Sequence, residues 1–442
     1  MPRLFGTDGV RGVAGVDLTP DLAVRLAAAA AAELAPAPSG TDRPRAAVGR
    51  DTRPSGEWLE SAVVAGLLAA GVDVDVLGVT PTPAVAHAVG ATGAAFGVVI
   101  SASHNPMPDN GIKFFAAGGR KLPDAAEDRI EARLAEPLPP VTGGGVGRRE
   151  DAVAAARSTA YVEHLVSSLP HRLDGLRVVV DCANGAAGAV APAAYRAAGA
   201  DVVVINDDPT GYRINDGCGA THLGPLQAAV RDHAADVGIA HDGDADRCLA
   251  VDTAGAVVDG DQILAVLALA LREQGRLRGD AVAATVMSNL GLRQVLATHG
   301  IALAETAVGD RYVLERMAAD DLALGGEQSG HLILADHAST GDGILTGLHL
   351  LARIAATGRP LADLAAVMTR LPQVLVNVRV ADQTGALDAL AEPVAAATAD
   401  LGADGRVLVR PSGTEPIVRI MVEARSHDRA SAVADALAAV IR

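Results

Sequence analysis

A run of β-branched residues, then a polar turn that contains glycine, then a helix-forming stretch, recurs three times along the chain. The runs span residues 46–49, 177–181 and 281–287, and the turns that follow them span 50–56, 182–188 and 288–291. Strands that alternate with helices in this way predict α/β units whose strands are largely parallel. Their spacing, about one unit per hundred-odd residues, indicates three related α/β domains.

The residues from 371 onward have a different pattern. Alternating apolar residues over 374–380, a helix after Gly385 and strands around Val407 and over 417–423 indicate a small α+β domain. A chain of 442 residues is long enough for two to four domains of roughly 100–200 residues each. The predicted fold class is therefore α/β, with three related α/β domains plus a smaller C-terminal α+β domain. The predicted boundaries are 1–155, 156–255, 256–370 and 371–442.

The charge and composition of the chain exclude several classes of partner. Lys and Arg number 37 against 53 Asp and Glu, which gives a formal net charge of −16, and only 2% of the residues are aromatic. Such a chain lacks the basic surface and the stacking rings that nucleic acids need, and the same charge disfavours an anionic membrane. Hydrophobic residues make up 50% of the chain, which excludes a disordered protein.

The cysteines and one uncharged stretch bear on location. Cys182, Cys218 and Cys248 are too few and too dispersed for a disulfide framework or a zinc site, which indicates a reducing compartment. Residues 76–108 carry no Asp, Glu, Lys or Arg, but prolines and glycines interrupt them. We therefore expect two buried strands and a helix there, not a membrane span. No export signal is visible, so a cytoplasmic location is predicted.

The first chemical motif is Ser101-Ala-Ser-His-Asn-Pro106, at the end of the apolar strand 97–100. A serine beside a histidine suggests a nucleophile, yet neither serine lies in a G-x-S-x-G turn. A cluster of helix N-cap residues explains the same segment equally well. The segment that follows adds Lys113, which can point back at this motif.

The second motif is Asp242-Gly-Asp-Ala-Asp-Arg247, after the strand 236–240. Its carboxylates, on Asp242, Asp244 and Asp246, would repel one another, so a bound Mg²⁺ or Ca²⁺ explains their proximity. An EF-hand is excluded because its sixth and twelfth positions would be Arg247 and Thr253. An aspartyl-nucleophile phosphatase and a solvated acidic turn remain alternatives.

Three further segments carry groups suited to sugars or phosphates. Glu327, Ser329 and His331 lie on a glycine-rich turn and suit the hydroxyls of a polyol. The segment 410–416 and Arg419 beyond it predict an anion cradle, for which phosphate is the natural ligand. Arg11 lies in a glycine-flexed segment near the amino terminus. Ordinary turns remain the alternative for each of the three.

Together, the motifs converge on phosphoryl transfer. They offer a serine carrier, a divalent cation held by carboxylates, a loop that reads a polyol and a separate anion cradle. Each comes from a different predicted domain, which predicts a cleft between domains that closes on one small phosphorylated ligand.

The order of five motifs resembles that of the α-D-phosphohexomutase superfamily over essentially the whole chain. These motifs are Gly6-Thr-Asp-Gly-Val-Arg-Gly, Ser101-Ala-Ser-His-Asn-Pro, Asp242-Gly-Asp-Ala-Asp-Arg, Gly326-Glu-Gln-Ser-Gly-His and Arg410-Pro-Ser-Gly-Thr-Glu-Pro. The first and fourth of them, with Val308-Gly-Asp-Arg-Tyr-Val313, are most similar to the bacterial phosphoglucosamine mutases. The one departure is Met107-Pro108, where relatives more often have aromatic or polar residues.

The resemblance implies four domains around a central cleft and an intramolecular phosphotransferase of the isomerase class. It implies that glucosamine 6-phosphate becomes glucosamine 1-phosphate through a 1,6-bisphosphate, on the route to UDP-N-acetylglucosamine. It also implies that Ser103 must be phosphorylated and carries the transferred group. One Mg²⁺ per subunit would be held by Asp242, Asp244, Asp246 and an oxygen on Ser103.

The same resemblance assigns roles to the remaining residues. Arg247 would steady the transferring group, and Glu327 and Ser329 would read sugar hydroxyls. Arg11, Lys113 and His331 are expected to take part in proton transfer and positioning. The phosphate that is not transferred is expected to bind five residues of the C-terminal domain: Arg410, Ser412, Gly413, Thr414 and Arg419.

Three alternatives stay open from the sequence. They are a phosphomannomutase or phosphoglucomutase, an aspartyl-nucleophile sugar phosphatase, and a sugar-phosphate-binding protein without activity. The expected partner is a small phosphosugar, with no nucleic acid and no membrane. The sequence leaves open a homodimer and the way in which Ser103 is first phosphorylated.

Overall fold

The protein is described here by a computed structural model that covers residues 3–6, 8–35, 43–136, 140–412 and 415–442. Two of the predicted phosphate-binding residues, Gly413 and Thr414, lie outside these described residues. The chain forms two compact units, one of Met1–Val286 with Ala304–Ala365 and one of Met287–Leu303 with Ala366–Arg442.

The first unit begins with a seven-stranded sheet in the order β1-β5-β4-β2-β3-β7, with β6 paired to β5. Strands β2, β3, β4 and β7 are parallel, whereas β1, β5 and β6 are antiparallel to their neighbours. The elements are β1 (Val10–Val13), α1 (Pro20–Leu34), β2 (Arg45–Arg50), α2 (Ser55–Ala69), β3 (Asp73–Val79), α3 (Thr82–Thr92), β4 (Phe96–Ile100), β5 (Asp109–Ala116), β6 (Arg120–Lys121), α4 (Asp124–Arg133) and β7 (Arg149–Glu150).

Local sequence explains how this sheet is covered. Helix α1 begins after Thr19, whose side chain accepts a hydrogen bond from the Leu22 amide, and proline occupies its first turn. Its alanine-rich face packs with α2 on the buried side chains of β4, such as Phe96 and Ile100. Because Arg50 and Ile100 are register partners at the carboxyl ends of β2 and β4, the turns after these two strands lie side by side.

A five-stranded sheet follows in the order β12-β11-β10-β8-β9, and its β8, β9 and β10 are parallel. The loop that carries the three aspartates connects the parallel strand β10 to the antiparallel strand β11. The elements are α5 (Ala154–Ser167), β8 (Arg177–Asp181), α6 (Ala191–Ala197), β9 (Asp201–Ile205), α7 (Gly224–Asp232), β10 (Val237–Ala240), β11 (Leu249–Val251), β12 (Val257–Val258) and α8 (Gly260–Glu273).

The third sheet has the order β14-β13-β15-β16. Strands β13 and β15 are parallel, and β16 returns antiparallel to β15 through the turn with Glu327 and Ser329. The elements are β13 (Ala281–Thr285), α9 (Leu290–Thr298), β14 (Ala302–Thr306), α10 (Asp310–Ala319), β15 (Leu324–Gly326), β16 (Leu332–Leu334), α11 (Gly343–Thr357) and α12 (Leu361–Ala365). Helix α9 belongs to the second unit.

The second unit contains a three-stranded antiparallel sheet in the order β17-β19-β18, covered by two helices. Its core includes Val418, Ile420 and Leu437. The predicted helix after Gly385 is present, but it begins earlier, at Gln383, because the Asp382 side chain caps it and accepts from the Thr384 amide. The elements are β17 (Gln373–Arg379), α13 (Gln383–Leu401), β18 (Arg406–Pro411), β19 (Ile417–Glu423) and α14 (His427–Ile441).

The predicted fold class is confirmed: three α/β sheets with helices precede a smaller α+β domain. The uncharged stretch 76–108 forms the end of β3, then α3 and β4, as expected. Among the helices of the described residues, none combines the length and the apolarity that crossing a bilayer requires. The domain boundaries stay predictions.

We expect the N-cap of α11 to make stability depend on pH. The Asp342 side chain accepts from the Leu345 amide at 2.9 Å and from the Tyr161 hydroxyl at 2.6 Å. Burial raises the pKa of Asp342 to about 6, so the folded chain keeps a proton that the unfolded chain loses at lower pH. The protonated Asp342 carboxyl therefore adds to the free energy of unfolding. This contribution, about 3 kcal/mol, is complete below pH ~4 and is lost as the pH rises through about 6.

The variant Asp342→Asn keeps the cap but cannot ionise. Its thermal midpoint relative to the unaltered chain should therefore rise between pH 4 and pH 7. The exposed Asp174→Asn variant, which breaks an ion pair with Arg172, is the control and should show no such trend. A constant difference for Asp342→Asn across this range would contradict the prediction.

Candidate active site

Ser103 lies in the loop between β4 and β5, and its side chain meets the loop of aspartates. The Ser103 Oγ donates a hydrogen bond of 2.5 Å to Asp242 Oδ2, and His104 Nδ1 lies 3.3 Å from the same Oγ. Both Ser103 and Asp242 are buried. The helix N-cap interpretation of this segment is wrong, because no helix follows and the loop runs directly into β5 at Asp109.

The glycine between the first two aspartates is explained by close packing against residues 101–108, the loop between β4 and β5 that we call the serine loop. A Cβ on Gly243 would lie 2.6 Å from the Ser103 carbonyl oxygen, closer than real Cβ atoms approach. Only glycine allows the two loops to approach this closely. The Asp-Gly-Asp spacing therefore serves the contact between the first and second sheets.

The three aspartates form a cluster that suits a cation. Oxygens of Asp242, Asp244 and Asp246 lie within 4.8 Å of one another, and all three residues are buried. Within the described part of the chain, Asp244 Oδ1 and Asp246 Oδ1 are buried without a hydrogen-bond partner. A buried carboxylate oxygen is costly when unpaired, and hard oxygen ligands are what Mg²⁺ prefers. The donor set therefore fits a divalent cation.

Lys113 and Thr82 reach the middle aspartate. The Lys113 Nζ lies 2.7 Å from Asp244 Oδ2, and the Thr82 hydroxyl donates to the same oxygen at 2.6 Å. Burial alone would raise the pKa of Asp244, but Lys113 and Thr82 lower it to about 2. Burial and the neighbouring Asp244 and Asp242 raise the pKa of Asp246 well above its usual value. The cluster thus holds an ionised carboxylate beside one that resists ionisation.

Charged side chains surround Lys113. Asp8 Oδ2 lies 3.3 Å from Lys113 Nζ and also accepts from Arg11, while its other oxygen lies 3.4 Å from Lys121 Nζ. Lys121 in turn donates to both oxygens of Asp310, at 2.5 and 2.6 Å. These pairs connect the predicted residues Arg11 and Lys113 to the amino end of α10 in the third sheet's layer.

His331 and Arg247 approach the aspartates without forming hydrogen bonds to them. His331 Nε2 lies 4.0 Å from Asp246 Oδ2 and 3.8 Å from Asp310 Oδ2. Arg247 Nε lies 3.9 Å from Asp242 Oδ2 and 4.0 Å from Asp246 Oδ1. Each side chain keeps a buried nitrogen, His331 Nδ1 and Arg247 Nε, that has no hydrogen-bond partner in the described residues.

The turn between β15 and β16 presents the groups that the sequence assigned to sugar hydroxyls. Glu327 Oε1 accepts from the Gly309 amide at 3.2 Å. The Ser329 hydroxyl is buried and finds no hydrogen-bond partner among the residues that the structure describes. Burial lowers the pKa of Arg247, but the carboxylates of the aspartate loop raise it overall. Glu327 adds to this rise. This places the turn near the aspartate loop.

Three of the predicted phosphate-binding residues, Arg410, Ser412 and Arg419, lie among the described residues of the second unit. Arg410 and Arg419 are register partners on β18 and β19, so two like charges face each other across the strands. Burial and Arg419 lower the pKa of Arg410. Like charges directly opposite destabilise a sheet unless an anion binds them. Ser412 is buried beside them, and its amide donates to the Ile417 carbonyl at 3.0 Å.

Sequence reasoning missed several residues that contact the predicted ones. Asp8, Thr82 and Asp310 were not singled out, although Asp8 lies in the opening motif and Asp310 in the segment 308–313. Arg53 and Asn215 hydrogen-bond the carbonyls of the serine loop. One signal could have found Arg53: its polar turn follows β2, next to the serine turn after β4.

Comparison with known proteins places these motifs in one family across the chain. Models of the phosphoglucomutase/phosphomannomutase family match all four domains: α/β/α domain I at residues 2–138, domain II at 159–255, domain III at 259–371 and the C-terminal domain at 375–440. A phosphoglucosamine mutase of Saccharopolyspora erythraea is 61% identical over 443 residues, covering 100% of this chain and 99% of that protein.

Solved structures share the fold. A phosphoglucomutase/phosphomannomutase family protein from Burkholderia thailandensis has a TM-score of 0.83 at 26% identity, covering 99% of this chain and 96% of that chain. The N-acetylphosphoglucosamine mutase of Aspergillus fumigatus was solved in complex with GlcNAc-6P and magnesium. It has a TM-score of 0.68 at 18% identity, covers 99% of this chain and 95% of that chain, and bears on the fold alone.

Proposed function

Because the chain belongs to the phosphoglucosamine mutase family, we propose that it interconverts glucosamine 6-phosphate and glucosamine 1-phosphate, with Ser103 as the phosphoryl carrier. It is an intramolecular phosphotransferase of the isomerase class. The observation that carries the proposal is the hydrogen bond from Ser103 Oγ to Asp242 Oδ2, within a buried cluster of three carboxylates.

The reaction needs two transfers in opposite directions. A sugar hydroxyl oxygen bonds to the phosphorus on phosphorylated Ser103, the bond between phosphorus and Ser103 Oγ breaks, and the hydroxyl proton passes to a base. The product is a 1,6-bisphosphate, which turns around in the site. Its other phosphoryl group then returns to Ser103, and the remaining monophosphate leaves.

The aspartates would hold Mg²⁺ together with an oxygen on Ser103. The fit rests on the unpartnered buried oxygens of Asp244 and Asp246 and on the convergence of the three carboxylates. When bound, such a cation offsets the charge of the transferring phosphoryl oxygens.

Four basic groups near the cluster receive roles from their placement. Arg247, with its unpartnered Nε beside Asp242, would steady the transferring group. Burial lowers the pKa of Lys113, but the nearby Asp244, Asp8 and Asp246 raise it overall, so Lys113 holds its proton and positions charge. Arg11 would position the hydroxyl as a hydrogen-bond donor, and His331 would move its proton.

Substrate recognition would fall to hydroxyl readers and a phosphate cradle. Glu327 and Ser329 offer a carboxylate oxygen and a buried hydroxyl to the sugar. The phosphate that is not transferred would bind residues of the second unit, namely Arg410, Ser412, Gly413, Thr414 and Arg419. Support comes from the opposed pair Arg410 and Arg419, which an anion would stabilise.

We also propose a cytoplasmic location. The three cysteines are buried and free, as expected for a chain in a reducing compartment.

Substrate preference is the test of the function. Rates with glucosamine, glucose and mannose 6-phosphates should be compared on chain whose Ser103 phosphorylation has been verified by mass spectrometry. We expect the glucosamine substrate to have the highest kcat/KM, by roughly tenfold or more. Faster turnover of glucose or mannose 6-phosphate would favour a phosphoglucomutase or phosphomannomutase. Binding without turnover, and without need of Mg²⁺, would favour a binding protein.

A further inference from the structure

The backbone of Ser103 depends on neighbours for its conformation. Its φ of 51° lies in the left-handed region, which a residue other than glycine adopts at a cost. The Ser103 carbonyl oxygen accepts two hydrogen bonds, from Arg53 Nη2 at 3.0 Å and from Asn215 Nδ2 at 2.8 Å. Two side chains from other segments therefore hold the residue in this conformation.

Both terminal nitrogens of the Arg53 guanidinium donate hydrogen bonds to carbonyls in or next to the serine loop. Besides Ser103, it donates to the carbonyls of Asn105 at 2.7 Å and Asp109 at 2.9 Å, and to the carbonyl of Pro106. The Arg53 side chain is 0% exposed. A fully buried guanidinium is tolerated when its donors are paired, and a planar fork of five donors can span several carbonyls in a way that a lysine cannot.

The partner of Arg53 fixes the other side of the Ser103 peptide. Arg53 Nε donates to Asp51 Oδ2 at 2.9 Å, and the same oxygen accepts from the Ser101 hydroxyl at 2.6 Å. The Ser101 oxygen in turn accepts from the Ser103 amide at 2.9 Å. The N–H and the C=O of Ser103 are thus both tied to the pair Asp51 and Arg53.

Asn215, which lies between β9 and α7 of the second sheet's layer, also holds the serine loop. Its amide donates to the carbonyls of Ser103 and Asn105, the two that Arg53 Nη2 also contacts. Asn215 itself has a φ of 59°, a conformation that asparagine and glycine adopt most readily. The loop is therefore held from the two layers that contribute Ser103 and Asp242.

We propose that Arg53, assisted by Asn215, is a positioning residue that keeps phosphorylated Ser103 aligned for transfer to the sugar and away from transfer to water. The proposal rests on the proposed function. In the productive step the sugar hydroxyl oxygen bonds to phosphorus, its proton leaves to a base, and Ser103 Oγ departs and regains a proton. In the leak, water replaces the sugar hydroxyl and inorganic phosphate is released.

The two steps differ in how the attacking oxygen is held. Both need the incoming oxygen, the phosphorus and Ser103 Oγ to be nearly in line, but a bound sugar fixes its hydroxyl in one place, whereas a water molecule can follow a displaced phosphoryl group. A serine loop that Arg53 no longer holds in place should therefore slow transfer to the sugar more than it slows hydrolysis of the phosphoserine. Substrate binding through Glu327 and Ser329 should change little, because the Arg53 guanidinium bonds to Asp51 and to carbonyls of the serine loop and to neither of these two residues.

The test is the full chain with Arg53→Lys, which keeps the charge opposite Asp51 but loses the fork. We expect kcat to fall roughly 10–100-fold with KM within about twofold, and phosphate release per mutase turnover to rise by about tenfold. Asn215→Gly keeps the backbone conformation and removes the donor, so it should show the same pattern more weakly. The double variant should be less than additive, because both residues hold the same carbonyls.

Arg43→Lys is the matched control. Arg43 forms a fork on Asp73 next to the amino end of β2, the strand whose carboxyl end leads to Arg53. Its kcat and phosphate release should match those of the unaltered chain. An Arg53→Lys variant that loses activity only in proportion to its unfolded fraction, with unchanged phosphate release per turnover, would overturn the proposal.

A second measurement separates this proposal from the proposed function. Hydrogen exchange of the peptide that covers residues 101–110 should be faster in Arg53→Lys than in Arg43→Lys. If the unaltered chain shows no mutase turnover, the proposed function fails, and the exchange comparison still reports whether Arg53 holds the loop. Equal exchange in both variants would overturn the positioning role.

Discussion

Ser103→Ala is expected to reduce mutase turnover by at least about 10³-fold and to abolish the phosphoserine. The reason lies in the geometry: Ser103 Oγ is the hydroxyl that meets the aspartate cluster, bonded to Asp242 Oδ2 at 2.5 Å. Alanine keeps the loop compact, since Arg53 and Asn215 bind the carbonyl of this residue and not its side chain. Turnover and the mass of the intact chain, before and after incubation with a hexose 1,6-bisphosphate, measure both effects.

Ser167→Ala provides the matched control, because this exposed serine of α5 donates to the His164 carbonyl of its own helix, remote from the aspartate cluster in the sequence. It should keep full turnover and the phosphorylated mass. An aspartyl-nucleophile phosphatase would behave differently: Ser103→Ala would stay active, inorganic phosphate would accumulate, and Asp242→Asn would carry the loss. That combination of results would reject Ser103 as the carrier.

The sequence predicted the fold class well because strand, turn and helix patterns are local. The Val-rich run at 177–181 is a strand with the same bounds in the structure. The first residue of a helix was less predictable where several neighbouring polar residues could each cap its amino end. Asp382 begins α13 ahead of Gly385, and the polar cluster at Ser101 caps no helix at all.

The candidate site was only partly predictable, because its contacts join separate sheets. Ser103 follows β4 and Asp242 follows β10, and no local pattern brings the ends of two different sheets together. Family resemblance supplied that pairing. For Arg53 the sequence offered only the position of its polar turn after β2, since a buried arginine that binds backbone carbonyls leaves no motif of catalytic residue types.

The aspartate cluster should cost stability in the absence of a cation. Asp246 is buried, its Oδ1 has no hydrogen-bond partner in the described residues, and Asp242 and Asp244 lie close by. At neutral pH the folded chain must either bury this charge or take up a proton, and both options favour unfolding. A bound cation would remove the penalty, so the site trades stability for function.

Asp246→Asn tests this trade directly. The amide removes one charge at constant shape, so we expect the thermal midpoint without Mg²⁺ to rise by roughly 2–5 °C at pH 7.5. Adding MgCl₂ should raise the midpoint of the unaltered chain but not that of the variant. Mutase turnover should fall by at least about 10²-fold, because the cation that offsets phosphoryl charge binds poorly.

The exposed Asp174→Asn variant should leave the midpoint, the Mg²⁺ response and the turnover unchanged, since its carboxylate forms a surface ion pair with Arg172, and such pairs contribute little to stability. The decisive comparison is the Mg²⁺-induced shift in the midpoint, which does not depend on any assay of activity. A shift in Asp246→Asn as large as in the unaltered chain would show that the cation binds elsewhere. A lower midpoint without Mg²⁺ would show that Asp246 stabilises the loop through contacts stronger than the repulsion it suffers.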